Sequence, residues 1–400
     1  MMGSTTGDDG LVVLDSLDEA NGQAVRIAVT LSAITLKPVR IQNIRRSEDQ
    51  PGMTTPLVAI VKWLADQTGA NVEGNDFQSQ TLTFRPKNRP SARKLAKKEI
   101  EVSPGSMLAN SVLHFQTIFP FLLYLGCDDP DNQKPFELRL TGATYSSDAP
   151  SFEYLDQVFL PALKTYFGVD VGRQLVKRGW DKRTPDPKCI QEGTIRFKVL
   201  PLKFGTTMAL NNDATFCTNE DGLGSVDNEI LSVDATIITP QELHVPLREN
   251  LTADIENRFP GAEVNFKFEE SGFLDRVYVL LVAKAEHCRW GRDYLMGKRL
   301  KGCLISALSK EISSKVCKDL EDEVNRECPI DKQLQDQLVI YQCLAKGKTC
   351  FDSAGLKGGA ESLDSTQTCN ARKAATAMLP GAKYSEGNVC IGAGVVVGDA

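Results

Sequence analysis

Two amphipathic stretches, Thr54–Gly69 and Phe152–Gly168, each close on a glycine and run into a strand-like pattern, and this recurrence limits the fold more than any other feature. In the first, Leu57, Ile60, Val61 and Leu64 recur at helical spacing, and Gly69 stands where a left-handed C-cap belongs. Strand patterns interleave with the helices: Val39–Ile44, with Val39, Ile41 and Asn43 on one face, then Thr81–Phe84 and Phe136–Leu140. Thr194–Val199 sets Ile195, Phe197 and Val199 against Arg196 and Lys198. Leu108–Leu125 reads as a strongly apolar helix. The expected class is α/β (α+β), built by repetition of an α-plus-β unit. A single dinucleotide-binding sheet is disfavoured, because no GxGxxG follows a strand and Gly355–Gly359 reads as a loop.

From about Gly205 the texture changes. Thr206–Asp227 is polar and aperiodic, and strand patterns at Asn228–His244 and Val277–Ala283 flank a helix at Leu247–Phe259. The expected division is a disordered tail over 1–18, a large domain from 19–204 and 329–400, and an inserted small domain over 205–328. In the returning segment Gln333–Ala345 and Ala371–Met378 read as helices, Lys346–Leu363 as a loop and Val389–Val397 as a strand.

Composition narrows the classes further. An apolar share of 42% with 24% charged residues suits a globular core, and a net charge of −6 means any polyanion site must be a local basic patch. The best such patch is Arg85–Lys98, with Arg85, Lys87, Arg89, Arg93, Lys94, Lys97 and Lys98. It reads either as a solvated loop or as a track for an RNA backbone; Pro86 and Pro90 interrupt it, and no aromatic after Phe84 offers base stacking. The first 18 residues lack the features of a signal or transit peptide, and no uncharged apolar run is long enough to span a membrane, so no membrane partner is expected. Eleven cysteines, without a CxxC pair, read as buried reduced thiols of an intracellular protein, and no metal site is expected.

The segment Asp18-Glu19-Ala20-Asn21-Gly22-Gln23-Ala24-Val25-Arg26, running into Ile27–Leu36, is a glycine turn feeding an apolar helix, with an acid, an amide and a guanidinium at its mouth. It resembles the Glu-Gly-Gly-Gly-Gln-x-x-Arg signature of the RNA 3'-terminal phosphate cyclase family. Further segments resemble the family in the same order. They are Ile34–Pro38 with Ile44-Arg45, Gln50-Pro51-Gly52, Ala70–Gly74 with Thr81–Pro86, and Ser103–Ser106 before Phe115–Pro120. Then come Thr141–Pro150, Arg178-Gly179-Trp180 and Leu334-Gln335-Asp336-Gln337-Leu338. The resemblance implies repeated βαβαββ units with an inserted α/β domain. It also implies a nucleotide- and phosphate-binding set of Glu19, Gln23, Arg26, Arg45, Pro150, Asp336 and Gln337. Plain structural roles compete with these: helix flanking for Glu19 and Arg26, a turn for Pro150, and a backbone partner for Asp336.

Family chemistry implies that a histidine attacks ATP, that AMP passes to an RNA 3'-phosphate, and that the 2'-hydroxyl closes a 2',3'-cyclic phosphate. A neutral imidazole suits the first step, because its ring nitrogen has a free lone pair and the phosphoramidate it forms is labile. Here the family's Leu-His-x-x-Thr falls on Leu363–Arg372, which puts Ser365 or Gln367 at the nucleophile position, and residues 288–400 contain no histidine. His114 sits in an apolar helix and reads as a core residue; His244 and His287 fall in the insertion. Serine would need an adjacent base, and none is visible in sequence near Ser365. Glu48, Thr55-Pro56-Leu57, Gln333 and Asp181–Ile190 replace other family residues.

The resemblance therefore implies a family member that acts on or binds RNA ends with its ATP-dependent cyclisation impaired or absent. A role in RNA processing or ribosome biogenesis, ribosome-assembly partners and a nuclear location go with that reading. The alternative is an active cyclase that uses ATP with a divalent cation and a non-standard nucleophile. A third reading is a diverged copy with no retained role.

Overall fold

Short alternating strands and glycine-ended helices assemble into three related units and one inserted body. The computed structural model describes residues 10–15, 22–91, 99–102, 109–128, 134–147, 149–180, 191–211, 229–273, 275–286, 288–296, 304–326, 328–351, 365–385 and 389–398. The first unit runs β1 (Val12–Asp15), α1 (Gln23–Thr35), β2 (Val39–Gln42), α2 (Thr55–Thr68), β3 (Asn71–Glu73) and β4 (Leu82–Arg85). Its sheet order is β1-β2-β4-β3, with β1 parallel to β2 and the other pairs antiparallel. The segment expected to be tail thus contains a strand. Val12 and Leu14 are buried at period two, a signal too short to register beside the flanking glycines and acids.

Helix α2 forms as its sequence dictates. Thr54 accepts from the Leu57 amide as N-cap, Pro56 occupies the first turn, and Gly69 takes φ 61° at the C-cap. Leu57, Ile60, Val61 and Leu64 are its buried face. Helix α1 is buried from Ala24 to Ile34, so it is a core element with no solvent face.

The second unit repeats the order: β5 (Glu99–Val102), α3 (Ser111–Leu123), β6 (Phe136–Gly142), α4 (Phe152–Tyr154) continued by a π-helical turn (Leu155–Phe159) into α5 (Leu160–Phe167), then β7 (Gly172–Lys177) and β8 (Gly193–Val199). Its sheet, β5-β6-β8-β7, has the same parallel and antiparallel sequence as the first. In β8, Ile195, Phe197 and Val199 are buried while Arg196 and Lys198 face water, as the alternation predicts.

The inserted body holds β9 (Ser232–Thr239), α6 (His244–Arg258), β10 (Glu263–Glu270), β11 (Tyr278–Lys284), β12 (Arg289–Leu295) and α7 (Ile305–Val324), with sheet order β10-β9-β11-β12. It has its own core, from Val233 and Ile237 to Val316 and Leu320. The other sheet face, through Ile238, Tyr278, Leu280 and Val282, joins the large core. The strand expected over Asn228–His244 stops at Thr239, because Pro240 follows and His244 already begins α6.

The third unit comprises α8 (Lys332–Leu344), β13 (Lys346–Cys350), α9 (Thr366–Met378), β14 (Lys383–Tyr384) and β15 (Val389–Ala393). The loop expected at Lys346–Leu363 therefore begins as a strand; residues 352–364 lie outside the described set. Its first strand comes from before the insertion: Ala209 bridges in parallel to Lys346, Met208 belongs to the large core, and the Gly205 amide donates to the Val397 carbonyl. Residues 205–211 thus pack with the large body, and the insertion follows them. It occupies the place where the first two units pass from Asp15 to Gln23 and from Val102 to Ser111. Helices α1, α3 and α8 are consequently equivalent elements. Among the described residues no helix is long and apolar enough to cross a membrane.

Candidate functional site

The beginnings of α1, α3 and α8 converge on one cleft of about 650 Å³, within the range of small-molecule sites. Gln23 and Arg26 come from α1, Gln116 from α3, and Lys332, Asp336 and Gln337 from α8. Ser146, Ser147, Ala149 and Pro150 supply a second wall. The insertion closes a third with Arg292–Leu295 of β12 and Lys315 and Asp319 of α7. Asn110 sets the second wall: its Oδ1 accepts from the Val112 and Leu113 amides, while Nδ2 donates to Ser146 Oγ at 2.8 Å and the Pro150 carbonyl at 3.4 Å.

Most of the sequence-predicted set meets here. Arg26 is only 9% exposed, and Gln23 Nε2 donates to the Asp336 carbonyl at 2.7 Å, tying α1 to α8. Gln116 donates to Gln337 Oε1, and Gln337 Nε2 is buried without a hydrogen-bond partner. Such an orphaned donor in a cationic cleft fits a bound acceptor. Arg26, Arg292, Lys315 and Lys332 line the cleft together with Asp293, Asp319 and Asp336, and of these cations Arg292 pairs with Glu323 and Lys315 with Asp319. Among the described residues no group of three or more histidine, cysteine and acidic side chains is placed for a metal ion.

Four predicted residues do not join the cleft. Arg45 turns into its own loop and donates to the Gln50 and Gly52 carbonyls at 3.1 and 3.2 Å. Arg85, Lys87 and Arg89 stand beside the C-terminus of α2, where the Lys87 amide donates to the Thr68 carbonyl, and Arg89 donates to the Gly398 carbonyl at 2.6 Å. Glu19, Arg93, Lys94, His287 and the Ser103–Ser106 loop lie outside the described residues. Conversely, sequence reasoning missed Arg292, Asp293, Lys315 and Lys332, because the insertion and the α8 start reach the cleft only through tertiary packing.

Both side chains at the nucleophile position, Ser365 and Gln367, line the cleft. Ser365 caps α9, accepting from the Thr368 amide at 3.0 Å, and its hydroxyl lies 3.3 and 3.4 Å from the two Asp336 carboxylate oxygens. Thr368 also donates to Asp336. The base that sequence could not show near Ser365 is therefore present, brought from α8. His114 is buried, its Nδ1 is 2.8 Å from the Asn110 carbonyl, and it does not line the cleft. Burial pushes it down to about 4, with the Arg26 charge adding to the effect.

Asp336 and Asp293 are both pushed up to about 6, chiefly by burial. Hydrogen bonds from Thr368 and Ser365 oppose the shift at Asp336, and the Tyr278 hydroxyl with the Arg292 charge opposes it at Asp293. For an acid whose folded value is raised, the stability contribution is complete below 3.8 and is lost as pH rises through about 6. Near neutrality the cleft thus holds two costly carboxylates, with Asp319 as a third acid, against Arg26, Arg292, Lys315 and Lys332. Acidification neutralises two of them. Affinity for inorganic sulfate, which does not titrate in this range, should rise roughly three- to tenfold from about pH 7.5 to about pH 5.5. Calorimetry across that range checks it, and Asp336→Asn should flatten the profile.

A family model described as RNA 3'-terminal phosphate cyclase matches residues 17–365. Similar proteins include the RNA 3'-terminal phosphate cyclase of Drosophila melanogaster, 26% identical in an alignment 346 residues long that covers 84% of each chain. The protein of that name from Pyrobaculum neutrophilum is 27% identical over 339 residues, 84% of this chain and 85% of that one. That of Desulfurococcus amylolyticus reaches 34% identity over 164 residues, 41% of this chain and 42% of the other.

Proposed function

Because this chain belongs to the RNA 3'-terminal phosphate cyclase family, we propose that its cleft binds phosphorylated RNA 3' ends and ATP while ATP-dependent cyclisation is impaired or lost. One observation carries the reading: Ser365 and Gln367, either of which falls at the nucleophile position, line the cleft, and no histidine lines it among the described residues. An imidazole combines a free lone pair at neutral pH with a labile phosphoramidate, and neither replacement offers that pair of properties. The remaining residues suit binding. Arg26, Lys332 and Arg292 would offset phosphate charge, Gln337 Nε2 would donate to an oxygen, and Pro150 with Ser146 would form the wall beside the nucleotide. ATP, with a divalent cation on its phosphates, supplies an activated AMP group when bound. RNA-processing or ribosome-assembly partners and a nuclear location belong to the same proposal and rest on the resemblance alone.

The Ser365–Asp336 pair favours a second reading, an active cyclase with a serine nucleophile. The two readings differ in a measurable way. The protein is incubated with α-labelled ATP and then with RNA ending in a 3'-phosphate. Binding alone predicts no covalent label, RNA retention that weakens as salt rises, and unchanged RNA ends. A serine nucleophile predicts an acid-stable phosphodiester label, lost in Ser365→Ala. Either a label or a cyclic RNA end would end the first proposal.

A further inference from the structure

Among the described residues that line the cleft, Tyr294 of β12 alone is aromatic. Beside it in the wall stand the aliphatic Leu295 and the Lys315–Asp319 ion pair of α7, closed at 2.9 Å. Strand β12 holds the ring from behind. Tyr294 pairs in register with Val279, a residue of the insertion's core, and its side chain packs against that core while remaining partly exposed.

The wall continues past the cleft. Asp319, Lys315, Glu311, Leu308 and the N-cap residue Leu304 follow one another at helical spacing, so they form a single stripe along α7. The inner end of the stripe lies in the cleft, and the outer end is apolar and open, with Leu304 72% and Ile305 45% exposed. Burial and then the Glu311 carboxylate raise the Tyr294 phenol above its ordinary value, which sets the ring beside Glu311, between the two ends. With Lys315 already paired, the stripe offers phosphates chiefly the like charge of Glu311 and Asp319. A neutral, flat nucleobase meets no such penalty, and an aromatic ring with aliphatic neighbours is the surface on which bases stack. A mononucleotide can lie wholly within the cleft, beside the wall of Pro150 and Ser146, whereas a polymer held by its end has to leave over a rim.

We propose that Tyr294 is the stacking platform for a nucleobase at the 3' end of the RNA, so that the insertion senses the RNA through its bases. The inference rests on the reading of the cleft as a site for phosphorylated RNA ends and adds the residue that holds the base. Every base has a π face, so the platform accepts all four. It selects instead for single-stranded ends, because an unstacked base has a face to offer and a base within a helix does not.

The test compares a 5'-labelled single-stranded RNA ending in a 3'-phosphate with the same RNA whose last few nucleotides lack their bases, by fluorescence anisotropy with the full chain. Wild type should bind the base-bearing RNA roughly 5- to 100-fold more tightly. Tyr294→Ala should bring that ratio close to one while leaving the affinity for the abasic RNA unchanged, and Tyr294→Phe should preserve it. Because the ring is partly buried, Tyr294→Trp supplies a reading that does not depend on truncation: the added indole emission should be quenched by the base-bearing RNA and not by the abasic one. An unchanged ratio in folded Tyr294→Ala, or an indole blind to the bases, overturns the inference and leaves RNA binding standing. Lost affinity for ATP in place of RNA would give the ring to the adenine and overturn it as well. A wild type that binds neither RNA removes the RNA reading itself, and this inference with it.

Discussion

Ser365→His should convert a protein that takes no label from α-labelled ATP into one that carries acid-labile AMP, the largest change expected of any single substitution here. The physical basis is placement. Ser365 caps α9 inside the cleft, 3.3 Å from an Asp336 oxygen, and an imidazole there would have a carboxyl group able to orient one ring nitrogen. The other nitrogen would remain available for attack on the α-phosphorus, with Arg26 and Lys332 on hand to offset developing charge. Losing the serine cap should cost about 1 kcal/mol, too little to unfold a core in which Ala371, Ala374 and Ala375 of α9 are fully buried. Gln367→His is the companion variant, because Gln367 also lines the cleft. Chromatography of the labelled protein after acid and after base treatment reads the outcome. If both variants remain folded and stay unlabelled, the cleft has lost ATP binding as well as its nucleophile, and the ATP half of the proposal falls.

What the chain shows in sequence follows the range of the forces involved. Helix α2 was readable from end to end because its cap, its proline, its apolar stripe and its C-cap glycine all act within one or two turns. Strand β8 was readable because one face is dry and the other wet. By contrast α7 buries Ser309 and Ser313 beside Ile312, Val316 and Leu320, so its apolar stripe is diluted by residues too small to mark it. Strand β10 alternates Val264, Phe266 and Phe268 with charged and polar residues, but it lies at a sheet edge and its aromatics are only partly covered. The cleft divides in the same way. Gln23, Arg26, Asp336 and Gln337 were legible as local motifs, while the Ser365–Asp336 contact spans 29 residues and the Arg292 wall arrives through the insertion. Long-range juxtaposition leaves no local periodicity to read.

Asp331→Ala should lower stability by about 3 to 5 kcal/mol and loosen the cleft at the same time. Asp331 has no exposed surface, and its carboxylate is shared by three bodies. It caps α8 by accepting from the Leu334 amide at 2.9 Å, accepts the Tyr154 hydroxyl of α4 at 2.7 Å, and takes the Gly291 amide of β12 at 3.0 Å. Arg292 stands 3.5 Å away and pairs in turn with Glu323, which also accepts from Arg326 and the Lys332 amide. Burial raises the Asp331 carboxyl above its ordinary value while Arg292 opposes the shift, so the ion itself is a net burden on the fold. Its removal is harmful because the partners remain. Tyr154 and Gly291 would keep buried donors with nothing to receive them, and α8 would lose its cap. Water cannot easily refill the gap, since β12 approaches α4 so closely that a Cβ on Gly291 would sit 2.7 Å from Val158 and 2.9 Å from the Tyr154 ring. Asp331→Asn keeps one acceptor and should recover about half of the loss. Arg292 and Lys332 both line the cleft and both depend on this junction, so sulfate affinity should fall together with Tm. Denaturant unfolding and calorimetry on the same samples decide the matter. An alanine variant within about 1 kcal/mol of wild type would show that the three bodies are joined by apolar packing, through Tyr278, Leu280 and Val282, and not by this carboxylate.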